Sequence, residues 1–282
     1  MINPVRQLAQ DKKIALIQII PCQNARYFEV HYVCKVEEFT QTFKHDHALA
    51  IDIGVNNLCT CVTNKGKSFI IDGRRLKSYI QGYCKRIAEL QNINSRAFLR
   101  KKCNKKKYHR YRTKQMDRVT EKHKRRVMDY ITKTCTIILK YCLTNRINMV
   151  VFGYNKGFKQ RSKLNKENNQ IMQLIPYYKL LNKLQSLCNR YGIRFIVQEE
   201  SYTSQASFWD NDNIPIFDAK NTTQYQFSGK RPKRGLYVTS KGKKLNADVN
   251  AAANILRKCN VVSLQALYTR GVLDTPKRIR VY

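Results

Sequence analysis

The chain has 282 residues, with 54 Lys plus Arg against 19 Asp plus Glu and a formal net charge of +35. That length can bury a full core, as one large domain or two small ones, and a hydrophobic fraction of 43% excludes global disorder. A charge so large points to a polyphosphate partner, while no apolar run approaches a membrane span. The opening Met-Ile-Asn-Pro-Val-Arg-Gln lacks the apolar stretch of a signal peptide, so a cytoplasmic, nucleoid-associated setting is expected. Ten cysteines are scattered along the chain with no Cys-x-x-Cys pair, a spacing that speaks for buried thiols and against zinc or disulfides.

In chain order, residues 13–20 and 26–36 read as two strands turning around Pro21 and Asn24, a small β appendage covering 1–46. Three short strands follow at Ala48–Ile53, Leu58–Thr63 and Ser68–Asp72, separated by Gly-Val-Asn-Asn and Asn-Lys-Gly-Lys turns. Cys59 and Cys61, two apart in the second, would share a face as small apolar residues. A helical stretch covers about 75–145, broken near 101–107. Its two halves carry apolar stripes through Ile80, Cys84 and Ile87 and through Val127, Ile131, Cys135 and Ile138. A strand at Asn148–Phe152, a helix over Ile175–Tyr191 and a strand at Ile193–Gln198 come next, and a last clear helix opens near Asn246 and runs to about Lys258.

The helical stretch contains the densest charge. Residues 100–126 hold 14 Lys plus Arg, opposed only by Asp117 and Glu121, with Tyr108 and Tyr111 interleaved. Like charges at that density repel one another unless a polyanion neutralises them. Arg100, Lys101, Lys102, Lys105, Lys106, Lys107, Arg110, Arg112, Lys114, Lys124, Arg125 and Arg126 are the expected nucleic-acid contacts. A second basic turn supplies Lys230, Arg231, Lys233 and Arg234. The bland alternatives are a solvated helix face and a solvated loop.

Three strands, then alternating helices and strands, is the order of a ribonuclease H-like α/β fold with a mixed sheet. Sites in such sheets form at the carboxyl ends of adjacent strands. Asp52 falls near the end of the first strand, Glu199 and Glu200 follow the last, and Asp248 opens the final helix, so acids almost two hundred residues apart converge on one edge. Asp52, after Ala-Leu-Ala-Ile, sits where an unpaired acid is costly, which favours function. Taken alone, Asp248 reads better as a helix-start acid satisfying free N–H groups, and Glu199/Glu200 equally well as a solvated strand end. Jointly the acids suit Mg²⁺-dependent phosphodiester hydrolysis, which needs a few carboxylates and no histidine or cysteine nucleophile.

Four stretches carry a family resemblance: Ala-Ile-Asp-Ile-Gly-Val-Asn-Asn-Leu (50–58), Val-Val-Phe-Gly-Tyr-Asn-Lys-Gly-Phe-Lys-Gln (150–160), Glu-Glu-Ser-Tyr-Thr-Ser-Gln-Ala-Ser-Phe (199–208) and Asn-Ala-Asp-Val-Asn-Ala-Ala-Ala-Asn-Ile-Leu (246–256). With the closing Pro-Lys-Arg-Ile-Arg, they make the chain resemble TnpB, the transposon-encoded RNA-guided DNA nuclease related to type V CRISPR effectors. The resemblance implies a RuvC-like nuclease domain over 47–282 with a long inserted helical hairpin (75–145), preceded by a partial wedge-like segment. It implies guide RNA and target DNA as partners, two Mg²⁺ ions, and Asp52 and Asp248 as the first and third catalytic acids. Many members place the second acid where this chain has Gly153. A subgroup carries a glutamate before Tyr-Thr-Ser, which makes Glu200 the expected second acid and Glu199 its reserve. The family's two Cys pairs are missing from the target-binding insert 203–245, so no zinc is expected there and packing and hydrogen bonds must hold it. The region before the first strand is shorter than is usual in the family. A catalytically silent or truncated RNA-guided DNA-binding protein is the alternative.

Overall fold

The structure, a computed structural model, describes residues 14–22, 25–35, 46–100, 112–155, 166–217, 223–269 and 275–282. Its centre is a six-stranded mixed sheet. β3 (Ala48–Ile53), β4 (Asn57–Thr63) and β5 (Ser68–Asp72) form an antiparallel meander. β6 (Met149–Gly153) and β7 (Arg194–Gln198) add on in parallel beside β3. β3, β4 and β6 are apolar almost throughout because both faces of the sheet are covered. This is the expected ribonuclease H-like arrangement, with one strand more: β11 (Lys277–Ile279) pairs in parallel with β5 and closes the far edge.

Two long helices, α1 (Arg74–Arg100) and α2 (Lys114–Thr144), follow β5. Thr113 caps α2 by accepting from the Met116 amide at 3.2 Å. Only the second half of α2 lies on the sheet: Val127, Ile131, Cys135, Ile138 and Cys142 are buried in one cluster with Leu49, Cys59, Cys61 and Phe152. The nine described cysteines are free thiols, and burial pushes those of Cys59, Cys61, Cys135, Cys142 and Cys188 up. The expected helix over 175–191 begins at α4 (Tyr177–Arg190), preceded by α3 (Lys166–Leu174), a polar segment that the apolar pattern does not reveal. On the other face of the sheet, α5 (Ala247–Cys259) packs Val249, Ala252, Ala253 and Leu256 against Ala48, Ala50 and Val151. A short α6 (Gln265–Thr269) follows.

Before the sheet, β1 (Ile14–Cys22) and β2 (Tyr27–Cys34) form a two-stranded antiparallel hairpin where two strands are expected. Within the insert, β8 (Lys230–Lys233), β9 (Leu236–Val238) and β10 (Lys244–Asn246) make a small antiparallel sheet, so the basic turn is the outer arm of a hairpin. Gly235, with φ +80°, makes its bend, a conformation in which a side chain would be strained. Among the described residues no helix is long and apolar enough to cross a membrane.

Candidate active site

Asp52 is the penultimate residue of β3, on the carboxyl edge of the sheet. The chain then turns sharply: Gly54 donates its amide to Leu58 (3.3 Å), and its carbonyl accepts the hydroxyl of buried Tyr177 (2.9 Å). A Cβ on Gly54 would stand 2.8 Å from the Asn57 carbonyl oxygen, so only glycine allows this approach. The turn brings the Asn57 amide 2.6 Å from Asp248 Oδ2. Two motifs almost two hundred residues apart therefore meet through a side chain that sequence reasoning left unassigned.

Asp248 lies in the first turn of α5, yet it is not the cap. Asn246 fills that role, its Oδ1 accepting from the amides of Asp248 (3.0 Å) and Val249 (3.2 Å). The capping reading of Asp248 is thereby corrected: Asn57 holds its carboxylate, and Arg231 of β8 lies 3.6 Å from Oδ1. Of the basic turn 230–234, Arg231 is the residue that forms an ion pair with one of the three acids.

The two glutamates separate cleanly. Glu199 turns to the far side, its Oε1 accepting from the Ser201 amide (2.7 Å) and its Oε2 from Lys258. The Lys258 ammonium is 7% exposed and also donates to the carbonyls of Ser201 and Pro215, each at 3.1 Å. Burial alone would raise the Glu199 carboxyl, but Lys258 and Ser201 outweigh it and hold it below the usual range. Glu200 turns the opposite way. Its Oε2 is buried without a hydrogen-bond partner among the described residues, and lies 3.0 Å from where a Cβ on Gly153 would stand. Burial, followed by the neighbouring charge of Glu199, pushes its carboxyl up to about 7.

Asn155 sets this turn. Its Oδ1 accepts from the Glu200 amide (3.0 Å), its Nδ2 donates to Ser201 Oγ (3.3 Å), and the Tyr154 amide reaches the Gln198 carbonyl (2.9 Å). Burial and then the charges of Asp248 and Glu200 raise the Asp52 carboxyl well above its ordinary value. Asp52 thus meets the charges of both other acids at one edge of the sheet, and Arg231 offsets them only in part.

Among the described residues, no three His, Cys, Asp or Glu side chains are placed close enough together to hold a metal ion as they stand. Two features nonetheless suit a hard divalent cation: an orphaned buried carboxylate oxygen on Glu200, and an all-oxygen set whose mutual repulsion a cation would relieve.

The insert is tied to α5 by amides. Asn250 Oδ1 accepts from the Phe208 amide (3.0 Å) and its Nδ2 donates to the Ala206 carbonyl (2.8 Å). One turn on, the Asn254 Nδ2 donates to the carbonyls of Thr203 (2.9 Å) and Ala206 (2.7 Å). The recurring asparagines of the 246–256 stretch therefore hold the 203–208 loop. In the insert, where the resemblance implies cysteine pairs that this chain lacks, two aspartate–serine clamps are found. Asp210 accepts from the Ser240 amide (2.9 Å) and hydroxyl (2.6 Å). Asp212 accepts from the amides of Ser207 (2.7 Å) and Ser228 (3.1 Å) and from the Ser228 hydroxyl.

Of the expected nucleic-acid contacts, Lys101, Lys102, Lys105, Lys106, Lys107 and Arg110 lie outside the described residues, as do Tyr108 and Tyr111. Arg100 ends α1. Arg112, Lys114, Lys124, Arg125 and Arg126 are exposed at and along the start of α2, and Lys230, Arg231, Lys233 and Arg234 along the outer arm of the insert.

Fold and site together define a ribonuclease H-like α/β domain with acids at the carboxyl edge of its sheet. Comparisons with known proteins agree and go further. A probable transposase family (OrfB_IS605) matches residues 31–159, and the Cas12f1-like TNB domain matches residues 177–255. The TnpB-like protein ORF457 of Acidianus two-tailed virus is 25% identical over 254 residues, covering 84% of this chain and 50% of that protein. A structure described as a CRISPR-Cas12f ternary complex superposes with a TM-score of 0.51 at 16% identity, covering 92% of this chain and 48% of that one. A Cas12f1-sgRNA-target DNA complex gives a TM-score of 0.48 at 18% identity over 80% and 52%. The chain spans about half the length of the relatives it matches. These matches bear out the resemblance to TnpB that the four motifs carry.

Proposed function

We propose that the chain is an RNA-guided DNA endonuclease of a mobile element, hydrolysing phosphodiester bonds at Asp52, Glu200 and Asp248. The observation that carries this reading is the orphaned, buried Oε2 of Glu200, turned into the space that Gly153 leaves open. A buried carboxylate without a partner is costly, and its retention beside two further acids calls for a cation.

In this reading Asp52, Glu200 and Asp248 would hold Mg²⁺, which when bound would supply activation of water and charge stabilisation at the leaving oxygen. The protein's own part is positioning. Asn57 fixes the rotation of the Asp248 carboxylate, and Asn155 fixes the turn that aims Glu200. Arg231 keeps a guanidinium beside Asp248, where a phosphate arriving at the acids would meet it. The basic start of α2 and the outer arm of the insert supply the sequence-independent hold on RNA and DNA backbones, base pairing supplies the target choice, and the insert is the target-binding element.

The test is cleavage of guide-matched DNA by protein purified with its co-expressed RNA, beside Asp52→Ala and Glu200→Ala. Mg²⁺-dependent cutting by the wild type and none by either variant is expected. Equal background cutting by all three would overturn the nuclease reading, and bound RNA without any cutting would leave a guided binding protein.

A further inference from the structure

Among the described residues, the buried side-chain atoms without a hydrogen-bond partner are Thr60 Oγ1, Thr134 Oγ1, Asn169 Oδ1, Glu200 Oε2 and Asn254 Oδ1. Two of these flank Asp52, one on each side. β4 pairs with β3 so that Thr60 stands directly opposite Asp52. On the other side β6 runs in parallel with Ile51 opposite Phe152, so the next step sets Asp52 beside Gly153. Gly153 is the position over which Glu200 Oε2 lies.

Directly opposed residues of an antiparallel ladder point to one face of the sheet, and successive residues point to opposite faces. Ala50 and Val62, two residues along from Asp52 and Thr60, pack under α5, so the acid and the hydroxyl share that side. Thr60 is 0% exposed, so bulk water does not reach its hydroxyl. The α5 side chains that cover this face are Val249, Ala252, Ala253, Ile255 and Leu256, none of which offers an acceptor. The backbone around Thr60 is taken up by the ladders to β3 and β5. A buried hydroxyl without a bond is costly, and a valine of nearly the same shape would avoid that cost. The hydroxyl therefore lacks a purpose in the metal-free fold, and the acid beside it supplies one.

We propose that Thr60 is a positioning residue of the acid site: with a divalent cation bound, its hydroxyl donates to the Asp52 carboxylate and fixes its rotation. The inference rests on the reading of Asp52, Glu200 and Asp248 as a cation site and adds a fourth side chain to it. Asp248 takes its orientation from Asn57 and Glu200 from Asn155, and Thr60 is placed to do the same for Asp52. A hydroxyl that donates to an ionised carboxylate makes a charge-assisted bond, and such bonds orient metal ligands and strengthen their hold.

The test is calorimetric titration of Mn²⁺ into the metal-free full chain, with thermal unfolding of the same samples, for the wild type, Thr60→Val, Thr60→Ser and Thr134→Val. Thr60→Val keeps the shape and removes the hydroxyl. The metal-free variant should unfold at the wild-type temperature or above it, yet bind Mn²⁺ about tenfold more weakly. Thr60→Ser keeps the hydroxyl and loses a buried methyl, so it should unfold earlier yet bind Mn²⁺ close to the wild-type affinity. A residue that merely packs would give the reverse order of affinities. Thr134→Val removes the other orphaned hydroxyl, on α2 across the sheet, and should leave Mn²⁺ affinity unchanged. Wild-type affinity in Thr60→Val, or equal losses in Thr60→Val and Thr60→Ser, would overturn this inference alone. Absence of Mn²⁺ binding by the wild type would overturn the cation reading and this inference with it.

Discussion

Glu200 reaches across the position of Gly153: its Oε2 lies 3.0 Å from where a Cβ on that glycine would be, and the Cδ1 of buried Ile255 lies 2.4 Å from the same point. The glycine is therefore as much a part of the acid site as the acids. Gly153→Ala would push on a packed isoleucine and on the carboxylate together. Overpacking of this kind costs about 1–3 kcal/mol, so a lower unfolding temperature is expected, with DNA cutting reduced more than RNA binding. An unfolding temperature and cutting rate equal to wild type would show that the space is not needed.

Glu199 and Glu200 should respond oppositely to the same change. Glu199→Gln deprives the buried Lys258 ammonium of its carboxylate and is expected to cost about 1–3 kcal/mol in denaturant unfolding, with cleavage retained in the folded protein. Glu200→Gln removes an unpartnered carboxylate, so stability should hold or rise while cleavage is lost.

The pH dependence of the metal-free protein carries the same signature. The folded Glu200 carboxyl is raised to about 7 from an ordinary 4.5, so the folded state binds the extra proton between those values. Stability should then fall as pH rises through that window, where the raised Asp52 carboxyl adds to the loss, and Glu200→Gln should lessen that fall. Thermal unfolding at closely spaced pH values checks it.

Asp72 should act in the other direction. Burial raises its carboxyl, but Arg74, bonded through both side chain and amide, and Arg278 at 3.3 Å outweigh burial and hold it below the usual range. Its contribution is complete above the unfolded carboxylate pKa and is lost as pH falls through the lower folded value. Asp72→Asn should therefore destabilise the protein at neutral pH and much less in acid. Arg278 ties β11 to this network, so the same variant should free the C-terminal strand to exchange amide hydrogens faster.

Much of this was legible in the sequence because burial writes a pattern. β3, β4 and β6 are covered on both faces and read as apolar runs, and the core half of α2 reads as a stripe. β11 was not legible: three residues, Lys-Arg-Ile, on a sheet edge leave no period to detect. The insert strands, three or four residues each and partly charged, escape for the same reason. Within the site, Asp52, Glu200 and Asp248 stand out as acids in apolar or small-residue settings. Asn57, Asn155, Asn250 and Asn254 do not, because an asparagine in a sequence is as readily a turn or a cap. Their roles depend on which backbone or carboxylate the fold brings within 3 Å, and that is a long-range property.

The clamps of the insert give a local prediction. Asp210→Asn with Asp212→Asn weakens the charge-assisted bonds to Ser240, Ser207 and Ser228. Limited proteolysis should then cut within 203–245 faster than in the wild type, while the sheet core keeps its unfolding temperature. Cutting at the wild-type rate would show that packing of Tyr237 and Phe208 suffices.

The central claim is that Glu200, not Glu199, completes a divalent-cation site with Asp52 and Asp248. Calorimetric titration of Mn²⁺ into the metal-free wild type, Glu199→Gln and Glu200→Gln proteins tests it most directly. Binding at least tenfold weaker in Glu200→Gln and unchanged in Glu199→Gln is the predicted result. Wild-type affinity in Glu200→Gln, or loss in Glu199→Gln alone, would contradict it.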